Sequence, residues 1–154
     1  MKVGHPVYRP TTRYLGSGLL ETTDETVYYF SEHGAQFKLF IPPGFHFDAA
    51  SIPRLFWTLL GITPQDLEAE ALPHDVGYHF QGKLPEGWLF VWHSGDWHET
   101  TVELDKVTWD KLLRELCLYF GMSKIKAAMI FSAVYSFGWF AWLRDDKKRK
   151  EDKL

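Results

Sequence analysis

Residues 36–60, QFKLFIPPGFHFDAASIPRLFWTLL, contain the change on which the fold turns. As far as Ile41, Phe37, Leu39 and Ile41 alternate with Gln36, Lys38 and Phe40, the period of a half-buried strand. Pro42-Pro43-Gly44 then withdraws two backbone donors and stops the sheet. Beyond Phe45 the signals change to Ser51-Ile52-Pro53, an N-cap with proline in the first turn, opening a short helix that Gly61 ends after Leu60. Strands before this stretch and helices after it predict an α+β chain.

Toward the N-terminus, Tyr8–Leu15, Thr26–Phe30 and Gln36–Ile41 read as strands rich in Tyr, Phe, Val and Thr. They are separated by Gly16-Ser17-Gly18 and Glu32-His33-Gly34, and the last two strands are expected to pair as a hairpin across His33-Gly34. Toward the C-terminus, Thr63-Pro64-Gln65-Asp66 starts a helix on which Leu67, Ala71, His74, Asp75 and Tyr78 recur at helical spacing. Pro73 inside it predicts a kink or a restart.

After a loop at 82–87, Trp88–His93 and Trp97–Leu104 read as a second hairpin turning at Ser94-Gly95-Asp96. An amphipathic helix over Asp105–Phe120, stopped by Gly121, and a last helix from Ser123 to about Leu143 complete the chain. The expected architecture is therefore N-terminal antiparallel strands, then three to four helices, with the second hairpin inserted between the His-Asp helix and the next. One domain covers 1–143, and 144–154 is expected to be a charged, disordered tail.

At 154 residues and 45% apolar content the chain can bury one sizeable core. A net charge of −3 supplies no long-range attraction for nucleic acid. The one basic run, Lys147 to Lys150, is diluted by Asp145, Asp146, Glu151 and Asp152 and reads as a solvated face. The single cysteine, Cys117, excludes an intramolecular disulfide framework and sits on the apolar side of its helix, as a packed thiol does. The opening residues show no apolar stretch of a signal peptide. Ala127–Leu143 is seventeen residues without a charge, at the lower limit of a bilayer span. Ser132, Tyr135, Ser136 and Gly138 dilute it, so burial in the core is expected ahead of membrane contact. Aromatic residues make up 17% of the chain, and Trp88, Trp92 and Trp97 on the second hairpin are candidates for an interface.

The constellation with most chemistry is His74-Asp75-Val76-Gly77-Tyr78 together with Asp110. His74 and Tyr78, four apart, share a helix face, while Asp75 points about 100° away. A buried Asp110 on a second helix would fix the tautomer of His74 and leave its other nitrogen free to take a proton from water. Asp75, with Asp48 from the loop before the first helix, could hold a hard divalent cation, calcium in preference to zinc. The same spacing also fits a buried polar network that only ties two helices together. Asp48 equally suits a cap or a partner for Arg54. His46, His93 and His98 fit no ligand spacing.

The ordered strings Ile41-Pro42-Pro43-Gly44-Phe45, Asp48 to Arg54, His74-Asp75-x-x-Tyr78, Asp110 and Phe137-Gly138-Trp139 resemble the phage and prophage family known as domain of unknown function 1353, over roughly 25–143. That resemblance implies a phage origin, action in the host cytoplasm or the virion, and other phage proteins as partners. Pro73, where that family tends to have an aliphatic residue, and the long segment 82–104 depart from its pattern. The His-Asp-x-x-Tyr string is also similar to the catalytic helix of secreted and prokaryotic phospholipases of the A-two class. That similarity implies His74 as the activator of water, Asp75 as a calcium ligand, and Asp110 as the group orienting His74. The cysteine scaffold and the glycine-rich calcium loop of those enzymes are missing here. Three functions stay open: a small metal-assisted hydrolase acting on an ester or lipid, a structural or accessory virion protein of tail or neck in which the polar cluster is a brace, and a host-directed or membrane-associated factor using the final apolar helix.

Overall fold

A computed structural model describes residues 1–48 and 54–151. Among the described residues the strands are β1 Lys2–Val3, β2 Thr12–Gly16, β3 Leu19–Thr22, β4 Thr26–Glu32, β5 Ala35–Ile41, β6 His46–Phe47, β7 Leu89–His93 and β8 Asp96–Glu99. The helices are α1 Arg54–Leu60, α2 Glu68–His79, α3 Lys106–Tyr119 and α4 Lys124–Glu151, with a 3₁₀ turn Pro64–Leu67 leading into α2. The expected α+β architecture is what the chain adopts, with strands first, then helices, and the second hairpin between α2 and α3.

β4 and β5 form the predicted hairpin, closed by His33 and Gly34, both at positive φ as a two-residue turn requires. Alternation along β4 turns Thr26, Tyr28, Phe30 and Glu32 inward, and β5 answers with Phe37, Leu39 and Ile41. The second hairpin, β7 and β8 across Ser94-Gly95, does not stand apart. β7 pairs with β5, so the main sheet has the order β1-β4-β5-β7-β8, antiparallel throughout. The hydrophobic pattern of residues 88–104 shows a hairpin but not its partner, because pairing with β5 is a long-range event. Residues 12–16, 19–22 and 46–47 form a second sheet, β2-β3-β6, which the reading of Gly16-Ser17-Gly18 as a mere separator overlooked.

α2 and α3 lie against the inward face of the main sheet. Leu72, Val76, Trp109, Leu112 and Leu116 interleave with Tyr28, Phe30, Phe37, Leu39 and Ile41, all buried. Each such side chain contributes about 1.5–3 kcal/mol of burial. A second cluster joins α1, the 3₁₀ turn, α2, α3 and α4 through Trp57, Leu60, Leu67, Ala71, Leu113, Cys117, Ile130 and Val134. Gly77 permits the close crossing of α2 and α3, since a Cβ there would overlap the indole of Trp109.

Pro73 does not restart α2; the helix is continuous from Glu68 to His79. The carbonyl that Pro73 leaves without a helical donor is that of Ala69, one turn back. It accepts the hydroxyl of Tyr28 from β4 at 2.7 Å. The helix thus keeps its acceptor satisfied by a side chain from the sheet.

α3 starts where the sequence reading placed it: Asp105 is its N-cap and accepts from the Thr108 backbone at 2.9 Å. α4 continues past the expected end at Leu143 as far as Glu151. The expected cap at Ser51-Ile52-Pro53 lies outside the described residues.

Candidate functional site

α2 and α3 run side by side in opposite directions, and each presents two polar residues one turn apart at the same level. From α2 come His74 and Tyr78; from α3 come Lys106 and Asp110. Asp110 is the hub. Its Oδ1 accepts from Tyr78 Oη at 2.7 Å and lies 3.0 Å from His74 Nε2, while its Oδ2 accepts from Lys106 Nζ at 2.6 Å. All four side chains are buried, with Asp110 and His74 at 0% and 1% exposure. The imidazole and phenol rings overlap at a centroid distance of 4.0 Å.

Lys106 is the member that the sequence reading missed. Its ammonium also donates to the Val134 carbonyl of α4 at 2.7 Å and lies 5.1 Å over the Trp139 ring. A lysine four residues before Asp110, on the helix face that carries the apolar residues, was the available signal. Gly138 explains part of the Phe137-Gly138-Trp139 string. A Cβ there would overlap the Tyr78 hydroxyl and press on the Lys106 side chain, so glycine lets α4 close over the network.

The electrostatics follow from this packing. Burial alone would raise the carboxyl of Asp110, but the hydrogen bonds from His74, Lys106 and Tyr78 outweigh it and hold the group below its ordinary value. Burial likewise works to lower His74, and the Asp110 bond together with the charge of Asp75 reverses this, holding the imidazole above its usual 6.5. Tyr78 is pushed far up by burial and by Asp110, so its hydroxyl acts as a donor. With Asp110 ionised, Nε2 of His74 carries the proton, and in the neutral ring Nδ1 holds the lone pair. Nδ1 faces Asp75 Oδ1 at 3.6 Å, an electrostatic distance too long for a hydrogen bond. Asp75, 8% exposed, is the member nearest to solvent.

The structure therefore brings together His74, Asp75, Tyr78 and Asp110. Asp48 follows β6, the short strand that α2 packs against, and is exposed. The expected cation would need more than Asp75 and Asp48. Among the described residues no three His, Cys, Asp or Glu side chains gather into a metal-binding group.

Of the three tryptophans expected at an interface, Trp88 is half-buried between Phe45 and Phe80, at 5.9 and 5.2 Å between ring centroids. Trp92 is exposed, and Trp97 is half-buried between it and Tyr29. Trp88 is thus a packing residue, filling the corner where the loop after α2 meets β6. His46, His93 and His98 are exposed. Cys117 is buried, and burial pushes its thiol up, as befits an inert core cysteine.

The family described as "Protein of unknown function (DUF1353)" matches residues 22–134. The chain belongs to this family. The matched span opens at the end of β3 and closes within α4, so the family region encloses His74, Asp75, Tyr78, Lys106 and Asp110 and stops before Gly138. No curated protein and no solved structure gave a significant match.

Proposed function

We propose that this member of the family is a small hydrolase acting on an ester or lipid, with His74 as general base and Asp110 as the residue that orients it. The observation that carries the reading is the division of labour on the imidazole. Nε2 is committed to a carboxylate that Tyr78 and Lys106 hold in place, and Nδ1 is left facing Asp75 Oδ1, itself buried, at 3.6 Å. A base needs this arrangement: one nitrogen fixed, the other carrying a lone pair, and a carboxylate to stabilise the imidazolium. In the reaction, Nδ1 takes a proton from water as the oxygen adds to the ester carbonyl. The imidazolium returns that proton to the departing alcohol. Asp110 acts through His74 and is a positioning residue, while Asp75 faces Nδ1 and its charge favours the imidazolium. The test is turnover of carboxylic esters and phospholipids by the full chain and by His74→Ala. A loss of at least about a hundredfold is expected for the variant. Equal turnover by both proteins, or none with any ester, overturns the reading.

A second reading, a virion component of tail or neck, is favoured by a different observation. Trp92 is exposed at the last hairpin of the main sheet, where β8 is an edge strand and Trp97 and Tyr29 extend the aromatic surface. Edge strands and exposed aromatics are the usual material of protein interfaces. In that case the polar network only braces α2 on α3. Mass spectrometry of purified particles decides it: fixed stoichiometry supports the reading, and absence from the particle ends it.

A further inference from the structure

α4 has two apolar sides and the fold uses one. Ala127, Ile130, Ala133, Val134 and Gly138 are buried against the rest of the domain. On the other side Ile125, Met129, Phe140 and Leu143 are exposed, Ile125 at 75% and Phe140 at 79%. Spaced at helical intervals, they form one stripe with Ser132 and Ser136 in its middle and Tyr135 and Trp139 along its flank. Residues Lys124–Arg144 are long and apolar enough to cross a membrane, yet only 28% of the most apolar stretch is buried. The sequence reading expected this helix to be core; half of it is surface. A helix that serves only as core has no physical reason to carry phenylalanine and leucine outward, because each costs solubility.

The distribution of charge says what covers the stripe. α4 holds seven Lys and Arg against three Asp and Glu, while the rest of the chain holds ten against seventeen. An acidic domain therefore carries a cationic helix whose basic residues stand at the ends of the apolar stripe: Lys124 and Lys126 before it, Arg144 and the 147–150 run after it. We infer that α4 lies in the plane of an anionic lipid surface, with Ile125, Met129, Phe140 and Leu143 at the headgroup–acyl boundary and Lys124, Lys126 and Arg144 among the phosphates. Apolar side chains, tyrosine and tryptophan at the margin, and flanking basic groups are what that boundary selects. The buried side of α4 holds it to the domain, so the helix docks lengthwise and does not insert across the bilayer. The middle serines suit that shallow depth.

The inference does not depend on His74; an inactive protein that binds vesicles keeps it. The test is flotation of the full chain with phosphatidylcholine vesicles and with vesicles containing phosphatidylglycerol, together with sedimentation of the protein alone. The variant is Phe140→Ser with Leu143→Ser, both exposed positions whose change leaves the thermal midpoint in place. Expected are binding that requires the anionic lipid, a loss of more than tenfold in the variant, and roughly fivefold weakening for each basic residue removed. A wild-type protein that stays with buffer, or binds both vesicles alike with no effect of the variant, overturns the proposal. Self-association abolished by the variant, without vesicle binding, also overturns it and assigns the stripe to a second copy of the chain.

Discussion

Tyr28 supplies by its hydroxyl the hydrogen bond that Pro73 removes from α2, donating at 2.7 Å to the Ala69 carbonyl one turn before the proline. A sheet residue thereby satisfies the carbonyl that the proline orphans in the helix that carries His74. Burial drives the Tyr28 hydroxyl well above its ordinary pKa, so it remains a donor at any ordinary pH.

Tyr28→Phe is accordingly expected to cost about 1–3 kcal/mol, because it strands a buried acceptor. Pro73→Ala restores a backbone donor to that acceptor and is expected to stabilise Tyr28→Phe more than it stabilises the wild type. Urea unfolding of the four proteins in this cycle measures the coupling; additive effects would disprove the shared acceptor.

Lys106→Met leaves Asp110 and the Val134 carbonyl without the ammonium that joins them. Breaking a buried pair from one side typically costs about 3–5 kcal/mol. The expected readout is a fall in the thermal midpoint on the order of 10 °C for a domain of this size. A shift of a degree or two would mean that the network adds little to stability.

Gly138→Ala places a methyl group on the Tyr78 hydroxyl, and about 1–3 kcal/mol of overpacking is expected. Tyr78→Phe removes the atom in the way. The alanine is therefore expected to cost less in the Tyr78→Phe background than in the wild type, as thermal unfolding of the four proteins can determine.

The pH dependence has opposite signs at the two ends of the dyad. His74 is raised in the fold, so its stabilising contribution is complete below the ordinary imidazole value of 6.5 and is lost as pH rises through the folded pKa. Asp110 is lowered, so its contribution is present above the ordinary 3.8 and is lost as pH falls through the folded pKa. His74→Gln is therefore expected to destabilise more in mildly acidic than in alkaline buffer. A penalty independent of pH across that range would show that the imidazole is not held in its charged form. The same raised pKa predicts that any His74-dependent hydrolysis increases with pH, since the base acts in its neutral form.

The sequence by itself determined the α+β class, the His33-Gly34 and Ser94-Gly95 turns, the start of a helix at Asp105, and the pairing of His74 with Tyr78 on one helix face. These are local matters, settled by φ, by side-chain period and by residues within one turn of each other. Asp110 was legible as a partner because a buried carboxylate needs donors, and a histidine and a tyrosine one turn apart could supply them.

Tertiary structure alone decided the rest. No local rule says that β7 pairs with β5, that Tyr28 reaches the carbonyl orphaned by Pro73, or that Lys106 joins Asp110 to a carbonyl of α4. Each joins groups distant along the chain, and each is selected by the cost of leaving a buried polar atom without a partner. The two-sided apolar character of α4 is the same lesson in reverse. A run of apolar residues specifies that surface must leave water, and only the packing of α1, α2 and α3 around one side of that helix shows how much of it the fold leaves for something else to cover.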